Sequence, residues 1–272
     1  MSLYTAALAS GSNGNCYFVG NEQEGVLIDV GISCTEVEFR MERLGIPISI
    51  IKAIFITHEH SDHIKGLNKF AKKHKLPVFI TLGTWESMQT SIPGEQVFRI
   101  QDQQIVKVGS LQVLPFRKLH DAAEPVSFIV SQNGIQIGVL TDIGLVSEEV
   151  KRRFSNCHVA YLEFNYETEL LNNGRYPYFL KKRIQGGLGH LSNQQAFDLY
   201  EKFRSPKLRL LIASHLSGQN NSPEIVQAYF NDRNDGVQLE IASREVGSGL
   251  YKIDAIQTLR IQYFQYQYSL FT

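Results

Sequence analysis

Near the N-terminus the apolar positions fall in short blocks, YTAAL, CYFVG and GVLIDVG, each bounded by Gly, Asn or Glu. That pattern predicts consecutive antiparallel strands. Residues 35–45 predict a helix, and IKAIFIT (51–57) is a nearly continuous apolar run rich in isoleucine, as in a strand buried on both faces. A helix is expected over 63–74, then a strand at LPVFI and a helical LGTWESMQTSI. QVFRI, QIVKV, SLQVLPF and PVSFIVS predict a strand-rich middle. PVSFIVS and IQIGVLT flank Gln-Asn-Gly, and Asn-Gly is a strong hairpin signal. Helix and strand then alternate: 147–155 helical, HVAYLEF a strand, 192–204 helical, LRLLIAS a strand, 223–232 helical, and VQLEIA and GLYKIDA as closing strands.

Two strand-rich blocks that each carry helices predict an α/β protein with two packed sheets and helices outside, an αββα four-layer sandwich. No linker divides it, so one domain is expected over residues 1–257, followed by a C-terminal tail, 258–272. The tail alternates Gln with Tyr over part of its length, as an edge strand or a segment laid over the body would, with a dimer contact as the alternative.

Composition narrows the class without choosing the chemistry. The 27 basic and 27 acidic residues cancel, so no global field draws the chain to nucleic acid or anionic lipid, and any polyanion must meet a local patch. Cys16, Cys34 and Cys157 lack CxxC spacing and form no even set, which favours a reducing compartment and buried thiols. No run approaches the roughly 18 apolar residues of a membrane span, and no basic segment leads into a long apolar stretch at the start. A cytoplasmic protein without membrane partners is expected; protein partners are not legible.

The chemistry concentrates at FITHEHSDH (55–63), which holds three of the eight histidines. With a strand ending at Thr57 and a helix starting near His63, His58 and His60 lie two apart in an extended turn and point the same way. Asp62 and His63 fall at the helix start and aim back towards the strand ends. Imidazole mixed with carboxylate suits zinc or manganese, with iron also acceptable. Glu59 points away from its neighbours and is expected to be structural. His120, Asp142 and His215 each follow an apolar strand and would complete a binuclear set; each alone reads equally as a cap or turn residue. His74 and His158 have no motif around them.

HEHSDH resembles the HxHxDH motif of the metallo-β-lactamase fold, and His120, Asp142 and His215 match that superfamily's later ligand motifs in order. SGSNGNCYFV, HDAAEPVSF, GHLSN and HLSGQNNSPE are similar to the YycJ/WalJ group of bacterial hydrolases. The resemblance spans residues 3 to about 254 and implies two divalent metal ions per chain. It assigns His58, His60 and His120 to one ion, Asp62, His63 and His215 to the other, and Asp142 to a bridge. Asp62 is then also a catalytic group, and Asp29 matches a buried acid beneath the ligand loop.

Such a pair of ions implies hydrolysis. In GHLSN, Ser192 is expected to cap the following helix, placing His190 before a helix N-terminus that favours anions. By resemblance to phosphodiesterase members of the superfamily, His190 is a catalytic acid or charge stabiliser at a scissile phosphate. Arg175, Lys181, Lys182 and Arg183 among aromatic residues, with Ser10, Ser12 and Asn15 in the first loop, are candidate substrate contacts; a solvated helix face and a flexible glycine loop are the plain alternatives. The expected function is a phosphodiesterase or nuclease on DNA or RNA. An esterase, lactonase or thioesterase, and a non-catalytic metal-binding regulator, remain as alternatives.

Overall fold

The computed structural model describes residues 2–88, 92–233, 235–254 and 261–264. The chain first lays down β1 (Leu3–Ala9), β2 (Cys16–Gly20), β3 (Gly25–Ile28), β4 (Ile51–Phe55), β5 (Val78–Ile80) and β6 (Val97–Arg99). It then crosses to a second sheet of β7 (Val106–Val108), β8 (Leu111–Arg117), β9 (Val126–Gln132), β10 (Ile135–Leu140), β11 (Val159–Glu163), β12 (Leu210–Ser214) and β13 (Gln238–Ile241). β14 (Leu250–Ile253) and β15 (Ile261–Phe264) return to the first sheet. The sheets have eight strands in the order β15-β14-β1-β2-β3-β4-β5-β6 and seven in the order β13-β12-β11-β10-β9-β8-β7.

Helices α1 (Cys34–Arg43), α2 (Ser61–Ile64), α3 (Leu67–His74) and α4 (Leu82–Ser87) accompany the first sheet, and α5 (Glu148–Phe154), α6 (Thr168–Asn173), α7 (Tyr178–Gln185), α8 (Asn193–Phe203) and α9 (Pro223–Ala228) the second. Alternate residues of one strand serve different layers, because successive side chains leave a strand on opposite faces. In β9, Val126, Phe128 and Val130 enter the core between the sheets, whereas Ile129 packs towards α5 and α8. In β4, Ala53 and Phe55 face the other sheet and Ile54 faces α1 and α3. Two apolar faces explain why these strands read as unbroken apolar runs, and the fold is the expected αββα sandwich.

Local chemistry agrees with several boundaries. Asn133 and Gly134 both take positive φ, 50° and 82°, in a two-residue loop pairing Gln132 with Ile135, as a hairpin of this type requires. The three cysteines are free and buried. Of the tail, residues 261–264 form the edge strand β15, antiparallel to β14; residues 258–260 and 265–272, and with them the alternative dimer contact, lie outside the described residues.

Two expectations need correction. The helix expected over 63–74 is two helices broken at Gly66. There the Gly66 N–H bonds the Val30 carbonyl at 2.9 Å, and a Cβ would lie 1.9 Å from the Ile32 carbonyl oxygen. The chain is thus pressed against the loop after β3 and cannot run on. Helix α6 was not anticipated and α7 only as the solvated-face alternative, because both are short, α6 exposing most of its residues and α7 burying none, which leaves little apolar periodicity.

Every strand whose end carries an invoked side chain points to one edge of the sandwich. β3 and β4 are parallel, as are β10, β11 and β12. β8 shares their direction because β9 is antiparallel to both neighbours. At the opposite edge the β2–β3 turn meets the second sheet through a polar cluster. Asn21 Nδ2 donates to Ser110 Oγ at 3.3 Å and Gln132 Oε1 at 3.4 Å, and Ser110 donates to Glu24.

Gly66→Ala should destabilise the metal-free protein by about 2 kcal/mol or more, since its methyl meets backbone that cannot move aside. Gly94→Ala, with nothing within 4 Å of its added Cβ, should stay within about 0.5 kcal/mol. Urea unfolding with chelator present measures both; equal midpoints for the two variants would contradict this close-approach account.

Candidate metal centre

The first sheet delivers its ligands through one turn. β4 ends at Phe55; Thr57, His58 and His60 follow in the loop, and Asp62 and His63 lie in the first turn of α2. Loops after β3 and β1 hold that turn: Val30 N donates to the His63 carbonyl, Asn15 N to the Asp62 carbonyl and Gly31 N to the Asn15 carbonyl, at 2.7–2.9 Å. Asp29, fully buried, accepts from Thr57 N, Thr57 Oγ1 and His63 Nδ1 at 2.7–2.8 Å. Glu59 turns away and accepts from Ala123 N at 2.8 Å, tying this turn to the loop that carries His120.

The second sheet supplies His120 after β8, Asp142 after β10 and His215 after β12. Asp29, Asp142 and His215 all adopt left-handed φ, 61°, 56° and 57°. Few residues other than glycine do so, and they gather at functional sites. Donor atoms of His58, His60 and His120 lie within 4.8 Å of one another, as do those of Asp62, His63 and His215. Asp142 joins both sides, with Oδ2 3.3 Å from His63 Nε2 and Oδ1 3.5 Å from His215 Nε2 and 3.9 Å from His120 Nε2.

The hydrogen bonds fix which ring nitrogens are bare. His120 Nδ1 lies 3.0 Å from the Gly189 carbonyl, which only accepts, so Nδ1 carries a proton. His63 Nδ1 donates to Asp29 and His215 Nδ1 to Glu163. Thr57 gives its hydroxyl proton to Asp29 and accepts from His58 Nδ1 at 2.9 Å. The neutral rings of His58 and His120 therefore turn bare Nε2 atoms towards His60 Nδ1, at 3.1 and 3.3 Å. One proton on His60 can meet only one of them; a cation among the three can meet all. Asp142 Oδ2 and His215 Nε2 are buried without a hydrogen-bond partner. These residues fit divalent cations.

Glu163 was missed from sequence. It ends β11 fully buried and collects the N–H groups of Asp142, Ile143 and Leu191, with Nδ1 of His190 and of His215 both at 2.9 Å. The signal was present: HVAYLEF closes an apolar strand with an acid, as IGVLTD does, but the strand's apolar neighbours disguised it. Lys118 was also missed; its buried Nζ donates to the Thr141 carbonyl at 2.8 Å and lies 4.0 Å from Asp142 Oδ2.

The charges sort themselves. Burial would raise the Asp142 pKa, but His215, His63 and Lys118 hold it well below the usual carboxylate range. Glu163 is likewise held down to about 2 against its burial, by His190 and His215. Burial disfavours charge on His215, yet Asp142, Asp62 and Glu163 push it up to about 10, and the surrounding aspartates raise His63 well above the normal imidazole value. Burial keeps His58 and His120 neutral, with His120 down at about 4 and Lys118 adding to the effect.

Around this centre lies a cavity of about 390 Å³ lined by Ser12, Asp62, Tyr176, Arg183, His190 and Ser217 among others. The His190 ring lies between those of His120 and His215, with centroids 5.2 and 5.3 Å away. Ser192 caps α8 in a reciprocal box with Gln195, and Asn193 N donates to the Tyr166 carbonyl. Those bonds take the N–H groups of Asn193 and Gln195, two of the first-turn donors expected to favour an anion. Asn15 and Ser10 are corrected: both are buried. Asn15 Nδ2 lies 3.1 Å from His63 Nε2 and 3.3 Å from Asp62 Oδ2, and Ser10 Oγ accepts from His215 N. They position ligands rather than meet substrate. Arg183 reaches the rim, paired with Asp121, whereas Arg175, Lys181 and Lys182 do not line the cavity: Arg175 is exposed in the loop before α7, Lys181 bonds the Asn172 carbonyl and Lys182 lies over the Tyr178 ring.

Residues 25–215 match the family described as the beta-lactamase superfamily domain. The chain belongs to that superfamily. The Bacillus anthracis protein named exodeoxyribonuclease YycJ is 34% identical over 230 residues, covering 84% of this chain and 87% of that one. A Streptococcus pneumoniae protein named exodeoxyribonuclease WalJ is 29% identical over 223 residues, covering 80% and 83%. The crystal structure of the metallo-beta-lactamase fold protein YhfI from Bacillus subtilis superposes with a TM-score of 0.71 at 13% identity, over 93% of this chain and all of that one; at that identity the likeness concerns the superfamily fold alone.

Two expected outcomes test the centre. Zinc binding to the metal-free protein at pH 7.5 should release about two protons per chain, because the raised values of His63 and His215 keep both protonated until a cation displaces the protons. Calorimetry in buffers of different ionisation heat measures this, and no release would contradict it. Glu163→Gln, which turns an amide N–H₂ towards a ring of donors, should weaken metal binding about 10- to 100-fold in a chelator competition.

Proposed function

We propose that the protein is a dinuclear metal-dependent exonuclease that hydrolyses phosphodiesters of DNA. The observation that carries this reading is His190, held by Glu163 at the wall of the cavity, between the ring of one histidine group and the ring of the other. The names of the Bacillus and Streptococcus relatives support the nuclease assignment and the choice of DNA.

His58, His60 and His120 would hold one ion and Asp62, His63 and His215 the second, with Asp142 shared; zinc or manganese suits the mixed nitrogen and oxygen donors, and iron is compatible. Two divalent ions there would supply Lewis acidity towards phosphate oxygens and lower the pKa of water to near neutrality. The remaining work falls to side chains. Glu163 commits His190 Nδ1, which leaves Nε2 to hold or deliver a proton at the leaving oxygen. Asn15 steadies Asp62 at the cavity floor, where that carboxylate accepts a proton from the attacking water. Arg183, parked on Asp121, and Tyr176 stand at the rim to meet a phosphate and a base. Exposed Tyr178 and Phe179 on α7 offer further stacking surface for the strand.

With manganese added, the purified protein should degrade labelled DNA oligonucleotides, and His190→Ala should lower kcat at least about 100-fold with metal content unchanged by elemental analysis. Turnover of thioesters or lactones with no action on oligonucleotides or bis(p-nitrophenyl) phosphate would overturn the assignment in favour of a carbonyl hydrolase. Full metal occupancy with no turnover of any of these would leave a metal-binding regulator.

A further inference from the structure

The cavity over the metal centre shares Ser217 with a neighbouring cavity of about 280 Å³, whose lining includes Gly218, Ser243 and Arg244. Arg244 lies in the connection between β13 and β14, far in sequence from any ligand. Its side chain nevertheless runs back over the two loops that frame the site. A Cβ on Gly11 would sit 2.7 Å from Arg244 Nε, and a Cβ on Gly218 only 2.1 Å from Nη1. Gly218 has no left-handed φ to explain the absence of a side chain; the space is taken by the guanidinium.

What holds that head is unusually little. Arg244 Nη2 donates to exposed Ser12 Oγ at 3.0 Å, and Nε is buried without a partner. Among the described residues no carboxylate pairs with it, and Glu245, which lines the same cavity, makes no bond to it. Buried arginine heads that serve as internal ties are normally met by carboxylates or several carbonyls, as Arg40 is by Glu36, Leu8 and Glu245. A guanidinium laid in a slot cleared by two glycines, bonded to Ser12 alone and lining a cavity with Ser217, instead offers its remaining Nη N–H groups to a ligand. Because its slot adjoins the metal cavity through Ser217, the matching ligand is a second phosphate of a substrate already seated on the metals.

We propose that Arg244, with Ser12 and Ser217, forms a phosphate subsite that grips the DNA strand beside the scissile phosphodiester. The subsite rests on the nuclease reading above and adds to it a way of distinguishing a polynucleotide from a small diester. The phosphate bound is either a terminal monophosphate or the next internal diester.

Arg244→Ala and Gly218→Ala test this together, because the second variant displaces the guanidinium without deleting it, and the clash falls on the movable end of a long side chain. Both should lower kcat/KM on DNA oligonucleotides about 10- to 100-fold, mainly through KM, with metal content retained. The loss on bis(p-nitrophenyl) phosphate, which has no second phosphate, should be at least about tenfold smaller. The slope of log KM against log salt should flatten by roughly 0.7 to 0.9, which a merely structural role would not cause, and Arg244→Lys should recover part of the affinity. A loss confined to end-phosphorylated strands assigns the terminal phosphate; an equal loss on end-hydroxyl strands assigns the internal one. Unchanged oligonucleotide kinetics, or equal losses on both substrate types, would overturn the subsite while leaving the nuclease reading intact. Wild-type protein that hydrolyses the small diester but no oligonucleotide would overturn both.

Discussion

Two buried carboxylates, one at a strand end of each sheet, govern the site. Asp29 takes the Nδ1 proton of His63 and, through Thr57, orients His58; Glu163 takes the Nδ1 protons of His215 and His190. By fixing those protons on the outer nitrogens they turn the inner nitrogens towards one another across a few ångströms, bare on His58 and protonated on His63 and His215 until a cation displaces the proton. Such an arrangement is unfavourable on its own and becomes favourable around cations. The low dielectric that makes each buried acid costly also strengthens its hold on the imidazoles it faces. The protein thus stores its affinity for metal in the orientation of rings, and that orientation depends on two residues that need touch no metal themselves.

The sandwich and much of its element order were legible because most of its strands have two apolar faces, which leaves blocks of Val, Ile, Leu and Phe between polar turns. The Asn-Gly hairpin was legible for a similar reason: its backbone geometry admits few residues. Helices α6 and α7 were less so, since both are short and bury one residue between them, and so lack the 3.6-residue apolar rhythm. The break at Gly66 was hidden as well, being imposed by a loop that arrives from residues 30–32.

The candidate site shows the same division. The dense HEHSDH run announces itself, and His120, Asp142 and His215 could be found by asking which polar residues follow apolar strands. Glu163 obeys the same rule but was masked by aromatic and aliphatic neighbours. Arg244 obeys no local rule at all, for its place over Gly11 and Gly218 arises only when three distant loops meet. Asn15 and Ser10 failed in the opposite sense: a Gly-, Ser- and Asn-rich loop reads as solvent-facing, yet its backbone bonds to Gly31 and Asp62 draw it into the floor beneath the ligands.

The polar cluster of Asn21, Glu24, Ser110 and Gln132 gives the sandwich a spine at the edge remote from the chemistry. The catalytic edge is tied separately, by Ala123 N on Glu59, His215 N on Ser10 Oγ and Val126 N on the Thr57 carbonyl. The two layers are thus fastened to each other at both margins by bonds that involve no cation, so their alignment does not rest on the ions the centre would hold.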